Sequence, residues 1–141
     1  MPQSASPLQA MNGRLAALAP AMLAVLRIGA GLLFMQHGAQ KLFGVLGKEA
    51  VPLMSQLGFA GVVEFFGGLL IVVGLLTRPL ALLSCLVMIG AYVVAHAADS
   101  IWPVINRGEM ALLYALIFAY LGTAGAGPFS IDAWLKHRNE R

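Results

Sequence analysis

Apolar residues along this chain fall in long runs rather than in the narrow stripes of a surface helix, and each run is about as long as a bilayer is thick. The pattern predicts four membrane-spanning helices. Span one covers residues 20–43, with Pro20 in the first turn, where the amide it lacks would be unpaired anyway. A connecting loop with Lys48, Glu49 and Pro52 follows, and span two covers residues 59–76. Thr77, Arg78 and Pro79 make so short a connection that span two and span three, over residues 80–98, must be antiparallel neighbours. A polar break with Trp102 and Pro103 returns the chain to an interface. Span four opens at Glu109 and is helical to about residue 123, before Gly125, Gly127 and Pro128 interrupt it.

The expected fold class is therefore an all-α integral membrane four-helix bundle. Its organisation reads as a polar N-terminal segment (1–19), a transmembrane domain (20–135) and a basic C-terminal tail (136–141).

Composition agrees with this pattern: of 141 residues, 60% are hydrophobic and 11% charged, with a mean hydropathy of +0.83, outside the range of ordinary soluble domains. The apolar run after Arg14 continues past Arg27 to Met35 without a small-residue cleavage site, so it reads as a span rather than a cleaved leader. A net charge of +3 could suggest nucleic acid as a partner, but the basic residues are scattered singly and form no patch, which argues against it. They read as topology signals. One side carries Arg14, Arg78, Lys136, Arg138 and Arg141, the other Lys41, Lys48 and Arg107, which predicts both termini cytoplasmic. The single cysteine, Cys85, excludes an internal disulfide or dithiol couple.

Ionisable groups inside a bilayer cost several kcal/mol unless paired or wetted, so Arg27 and Glu64 require explanation. Helical rise places Arg27 roughly 10 Å from the cytoplasmic edge and Glu64 roughly 8 Å from the other, leaving a gap of roughly 12 Å. An Arg27 to Glu64 ion pair needs the span boundaries to shift by a turn. Asp132 is the rival partner, reachable if the Gly-Pro segment after span four folds back. The plainer alternative is that Arg27 locks helices together.

A second group lies toward the outer edge: His37 and Lys41 on span one, Glu64 on span two, Tyr92 and His96 on span three, and Glu109 opening span four. The i,i+4 spacings of His37 with Lys41 and of Tyr92 with His96 put each pair on one helix face. They predict a polar pocket between helices. Such a pocket could bind a quinone headgroup, conduct protons or hold a metal. No HxxxH or ExxH spacing singles out a metal site, so none is assigned. Gly31, Gly38, Gly67, Gly68 and Gly74 give smooth faces and are expected to pack helices closely.

The segments LRIGAGLLFMQHGAQKLFG, GFAGVVEFFGGLLIVVGLLTRPLALL and INRGEMALLYALIFAYLGTAGAGPFSID, in that order, resemble the DoxX family. The resemblance covers residues 26–135. It implies a small, multi-pass protein of the bacterial inner membrane, linked to quinone-reducing and oxidative-stress oxidoreductase systems. Matching motif positions are Arg27, His37, Gly38, Lys41, Glu64, Gly67, Gly68, Arg78, Glu109, Gly127 and Asp132. The implied role is accessory, with quinone as the candidate cofactor and the redox centre on a partner protein. No catalytic residue is assigned, and whether the chain is itself an enzyme stays open. A non-catalytic scaffold is the alternative reading and a small proton or solute pathway the third. Expected partners are the lipid bilayer and an oxidoreductase protein, with homo-oligomerisation left open.

Overall fold

A computed structural model describes residues 6–141. Among them there is no strand. The order of helices is α1 (Pro7–Phe43), α2 (Gln56–Val62), a π-helical turn (Val63–Gly67), α3 (Gly68–Val73), α4 (Thr77–Ala95), α5 (Pro103–Asn106), α6 (Glu109–Ala124) and α7 (Ile131–Asn139). Among the described residues three helices are long and apolar enough to cross a membrane: Pro7–Phe43, Gln56–Val73 and Thr77–Ala95. The apolar α6 is shorter, at 16 residues.

α1 starts at Pro7, not at Pro20, because the sequence around Ser6 builds a capping box. The Ser6 hydroxyl accepts from the Gln9 amide at 3.3 Å, and the Gln9 side chain accepts from the Ser6 amide at 2.9 Å. Pro20 thus lies inside the helix. Of the polar segment expected over residues 1–19, the part from Pro7 onward is helical, and residues 1–5 lie outside the described residues. At 37 residues, α1 is about 55 Å long, well beyond a hydrocarbon core of roughly 30 Å. Its packed half begins near Ala24.

α1 runs along the second helix, and α4 runs along α6. Glycine makes the first contact possible. A Cβ on Gly31 would lie 3.0 Å from the Gly68 carbonyl, and one on Gly38 would lie 2.8 Å from that of Gly61. The two backbones therefore touch, the geometry small residues permit in membrane helix pairs. Gly61 was not among the expected packing glycines. Gly67 differs from the expectation: a Cβ there would make only ordinary contacts, 3.7 Å from Val63.

Phe34, Tyr114 and Phe118 fill the centre, with Phe34 lying 4.6 Å from Phe118 and 5.6 Å from Tyr114 between ring centroids. Ile71, Ala81, Met88, Ala115 and Leu121 complete this core. Leu86, Val93, Leu113 and Leu116 point outward and are exposed, an apolar exterior that suits lipid.

The turn between α3 and α4, at the Arg27 end, depends on left-handed backbone at two positions. Gly74 (φ 71) ends α3, and Leu76 (φ 52) leads into α4. Leucine in that region costs about 1–2 kcal/mol, and its amide is held by the Asp132 carboxylate at 2.9 Å. The expected basic tail is helical as far as Asn139: α7 is capped by Ser130, whose hydroxyl accepts from the Ala133 amide at 3.2 Å.

Candidate functional site

The register of α1 against the second helix decides which ionisable groups meet. Gly38 sits against Gly61 and Phe65, so Lys41, three residues further on, lies beside Glu64 in the π-helical turn. The Lys41 ammonium donates to both carboxylate oxygens of Glu64, at 2.5 Å to Oε1 and in closer contact still with Oε2. The Glu64 side chain is 2% exposed and that of Lys41 26%. A π-helical turn widens the helix locally and recurs at functional sites; here it carries the buried acid.

Around this pair lies a cavity of about 210 Å³, lined by His37, Lys41, Glu64, His96, Tyr114 and apolar residues including Phe34, Met88 and Met110. His37 meets the edge of Tyr114 in a T-shaped contact at 6.1 Å. His96 Nδ1 lies 2.9 Å from the Asn106 carbonyl. A carbonyl only accepts, so Nδ1 carries the proton, and in the neutral ring Nε2 is an acceptor. One acid, one ammonium, two imidazoles and a phenol therefore share one small space between helices.

A second groove, of about 330 Å³, runs between α1 and α6 and is lined by Val25, Leu26, Leu33, Leu113, Ile117 and their neighbours. It is almost wholly apolar. Met110 and Tyr114 line both spaces, so the groove adjoins the polar cavity.

Of the residues expected in the pocket, His37, Lys41, Glu64 and His96 line the cavity, whereas Tyr92 and Glu109 do not. Tyr92 stacks on His96 at 6.3 Å, donates to the Ile101 carbonyl and accepts from Nδ2 of the Asn106 side chain, so it braces the loop behind the imidazole. Glu109 is exposed in the first turn of α6. Tyr114 was missed. Its signal was a lone hydroxyl on the face that Ala111 and Phe118 share within span four.

Arg27 lies at the other end of the bundle and meets neither expected partner. It is 1% exposed and donates to four backbone carbonyls: Ile71 at 2.6 Å, Val72 at 2.5 Å, Ala126 at 3.1 Å and Phe129 at 2.6 Å. Two of these close α3 and two belong to the Gly-Pro loop after α6. The carbonyls at a helix C-terminus carry partial negative charge and take the place of a carboxylate. Glu64 is out of reach because Lys41, not Arg27, shares its depth. Asp132 is turned to α4, where it accepts from the Leu76 and Thr77 amides at 2.9 and 3.0 Å. Gly74 lies under the guanidinium: a Cβ there would be 2.8 Å from Arg27 Nη1. Its role is thus a turn beneath Arg27, not a helix-packing face.

The DoxX family model matches residues 22–97. An uncharacterised protein of Haemophilus influenzae is 36% identical, across 80% of this chain and 90% of its own length. Inner membrane protein YphA of Escherichia coli is 31% identical, across 80% of this chain and 89% of its own. The Bacillus subtilis protein named "Putative oxidoreductase CatD" is 27% identical, across 79% of this chain and 84% of its own. No solved structure matches. With a matched region that contains Arg27, Lys41, Glu64 and His96 and relatives aligned over most of their length, the chain belongs to the DoxX family.

Proposed function

We propose that this protein is a multi-pass subunit of the bacterial inner membrane that holds a quinone headgroup in the cavity around Lys41 and Glu64 and works with an oxidoreductase partner. The observation that carries the reading is the junction of a polar cavity with an apolar groove at Tyr114 and Met110. A pocket that engulfs a drug-sized ligand measures roughly 300–1,000 Å³; a space of about 210 Å³ suits one ring. The adjoining groove offers an isoprenoid tail an apolar path toward lipid.

In this arrangement Lys41, the Tyr114 hydroxyl and His37 supply donors to the ring carbonyls, and Glu64 and His96 Nε2 supply acceptors. Reduction to a quinol takes two electrons, supplied by the partner's redox centre, and two protons, relayed through Glu64 and the imidazoles. The supporting analogies are a relative named as an inner membrane protein and another named as a putative oxidoreductase. In this reading α6 is the fourth crossing: its 16 residues rise about 24 Å, short of a core of roughly 30 Å, but it packs along α4, which is long enough to cross. The transmembrane domain then spans residues 20–135, and both termini face the cytoplasm with Arg78 and the basic residues of α7.

Gentle detergent purification from native membranes tests this reading. Organic extraction should yield quinone in near-stoichiometric amount, together with a reproducible co-purifying oxidoreductase. A quinone-free, partner-free protein would favour the scaffold alternative, which the wholly backbone-bound Arg27 supports.

A further inference from the structure

A second cavity, of about 390 Å³, opens at the Arg27 end, where α4 begins, α6 ends and α7 crosses between them. Leu76, Thr77, Arg78, Pro79, Asp132 and Lys136 contribute to its lining. We propose that it binds the phosphate of an anionic phospholipid, with Arg78 and Lys136 as the cations and the Thr77 hydroxyl as the neutral donor.

Three observations converge on this site. Thr77 is 0% exposed, and its Oγ1 has no hydrogen-bond partner, an arrangement that disfavours the folded state unless a ligand or water completes it. Arg78 donates to the Gly122, Thr123 and Ala124 carbonyls through its terminal nitrogens, at 3.2, 2.5 and 3.5 Å, and none of these bonds uses Nε. Lys136 is 77% exposed and only 4.0 Å from Glu140, a loose surface pair that a phosphate can displace.

Asp132 is the one anion in the lining, but its oxygens are already engaged by the Leu76 and Thr77 amides. Two cations against one engaged carboxylate leave the cavity positive. Its surroundings select a lipid over a free anion: Leu76, Phe129 and Trp134 are exposed around this end of the bundle, and tryptophan with basic residues marks a headgroup zone. This site is separate from the quinone cavity and stands or falls independently of it.

The test uses the full chain in nanodiscs of phosphatidylcholine with or without phosphatidylglycerol. Bound lipid is counted by native mass spectrometry, and Tm is followed in parallel. Phosphatidylglycerol should be retained and should raise Tm, while phosphatidylcholine does neither. Lys136→Gln should weaken retention about fivefold, the factor that corresponds to the roughly 1 kcal/mol of one basic side chain near a membrane surface. Thr77→Val should weaken it as well, whereas Arg141→Gln, outside the cavity, should not. Equal retention of the two lipids overturns the proposal, as does parental binding by either cavity variant. Inorganic phosphate that alone reproduces the full Tm shift would assign the site to a free anion and overturn the lipid reading.

Discussion

Removing one member of the Lys41–Glu64 pair should destabilise the bundle very unequally, depending on which is removed. Lys41→Met leaves the Glu64 carboxylate, 2% exposed, without its cation. Breaking a buried pair in this way costs about 3–5 kcal/mol, because the remaining charge is neither solvated nor paired. Glu64→Leu leaves Lys41, whose side chain is 26% exposed and long enough to carry its ammonium to the interface, for a cost of about 1 kcal/mol. The double variant replaces the pair by apolar residues of similar size and should recover most of the Lys41→Met loss. With single losses that sum to about 4–6 kcal/mol and a double variant at about 1 kcal/mol, the coupling between the two sites is about 3–5 kcal/mol. Unfolding by sodium dodecyl sulfate in mixed micelles, followed by far-ultraviolet circular dichroism, measures all four corners of the cycle. The reasoning fails if Lys41→Met costs no more than Lys48→Met in the exposed loop, or if the double variant is simply additive.

Three further outcomes follow from the packing and are read in the same unfolding assay. Arg27→Met removes a donor from four carbonyls, of which Ile71 keeps the Gly74 amide at 3.1 Å; the three left unpaired should cost at least about 3 kcal/mol, at about 1–3 kcal/mol each, and a loss below about 1 kcal/mol would contradict the clasp. Gly38→Ala drives a methyl into the backbone at Phe65 and Gly61 and should cost about 1–3 kcal/mol, whereas Gly29→Ala, which meets nothing within 4 Å, should be neutral. Ser84 is buried with a partnerless hydroxyl, so Ser84→Ala should leave stability unchanged or raise it by about 1 kcal/mol; a clear loss would show that its hydroxyl is bonded.

The helical class and the apolar runs were legible because a bilayer admits few backbone solutions and imposes its thickness on the sequence. Boundaries slipped where backbone chemistry outweighed composition. The second and third runs were expected over residues 59–76 and 80–98, yet the helices occupy Gln56–Val73 and Thr77–Ala95, about a turn earlier. Gly74 and the left-handed Leu76 close the turn, and Pro79 is accommodated inside the first turn of α4, where amides have no intrahelical acceptor. Most of the outer polar group could be read from i,i+4 spacing and shared depth. The partner of Glu64 could not, because a loop and α2 separate it from Lys41, and the π-helical turn that carries Glu64 sets a register that no spacing rule encodes. Arg27 was recognisable as a buried charge, but its partners are carbonyls, and every residue has one. Asp132 capping α4 from α7 was hidden for a similar reason: backbone amides leave no mark in the sequence.

A quinone ring in the Lys41–Glu64 cavity, with its tail in the α1–α6 groove, can be located by photolabelling with an azidoquinone followed by peptide mapping of the purified protein. Labels should fall on the segments that line the cavity, namely α1 between Phe34 and Lys41, the turn at Glu64, α4 between Met88 and His96, and α6 between Met110 and Tyr114, and an excess of unmodified long-tailed quinone should abolish them. Labelling that is not competed, or that falls on segments lining neither the cavity nor the groove, would overturn the quinone reading.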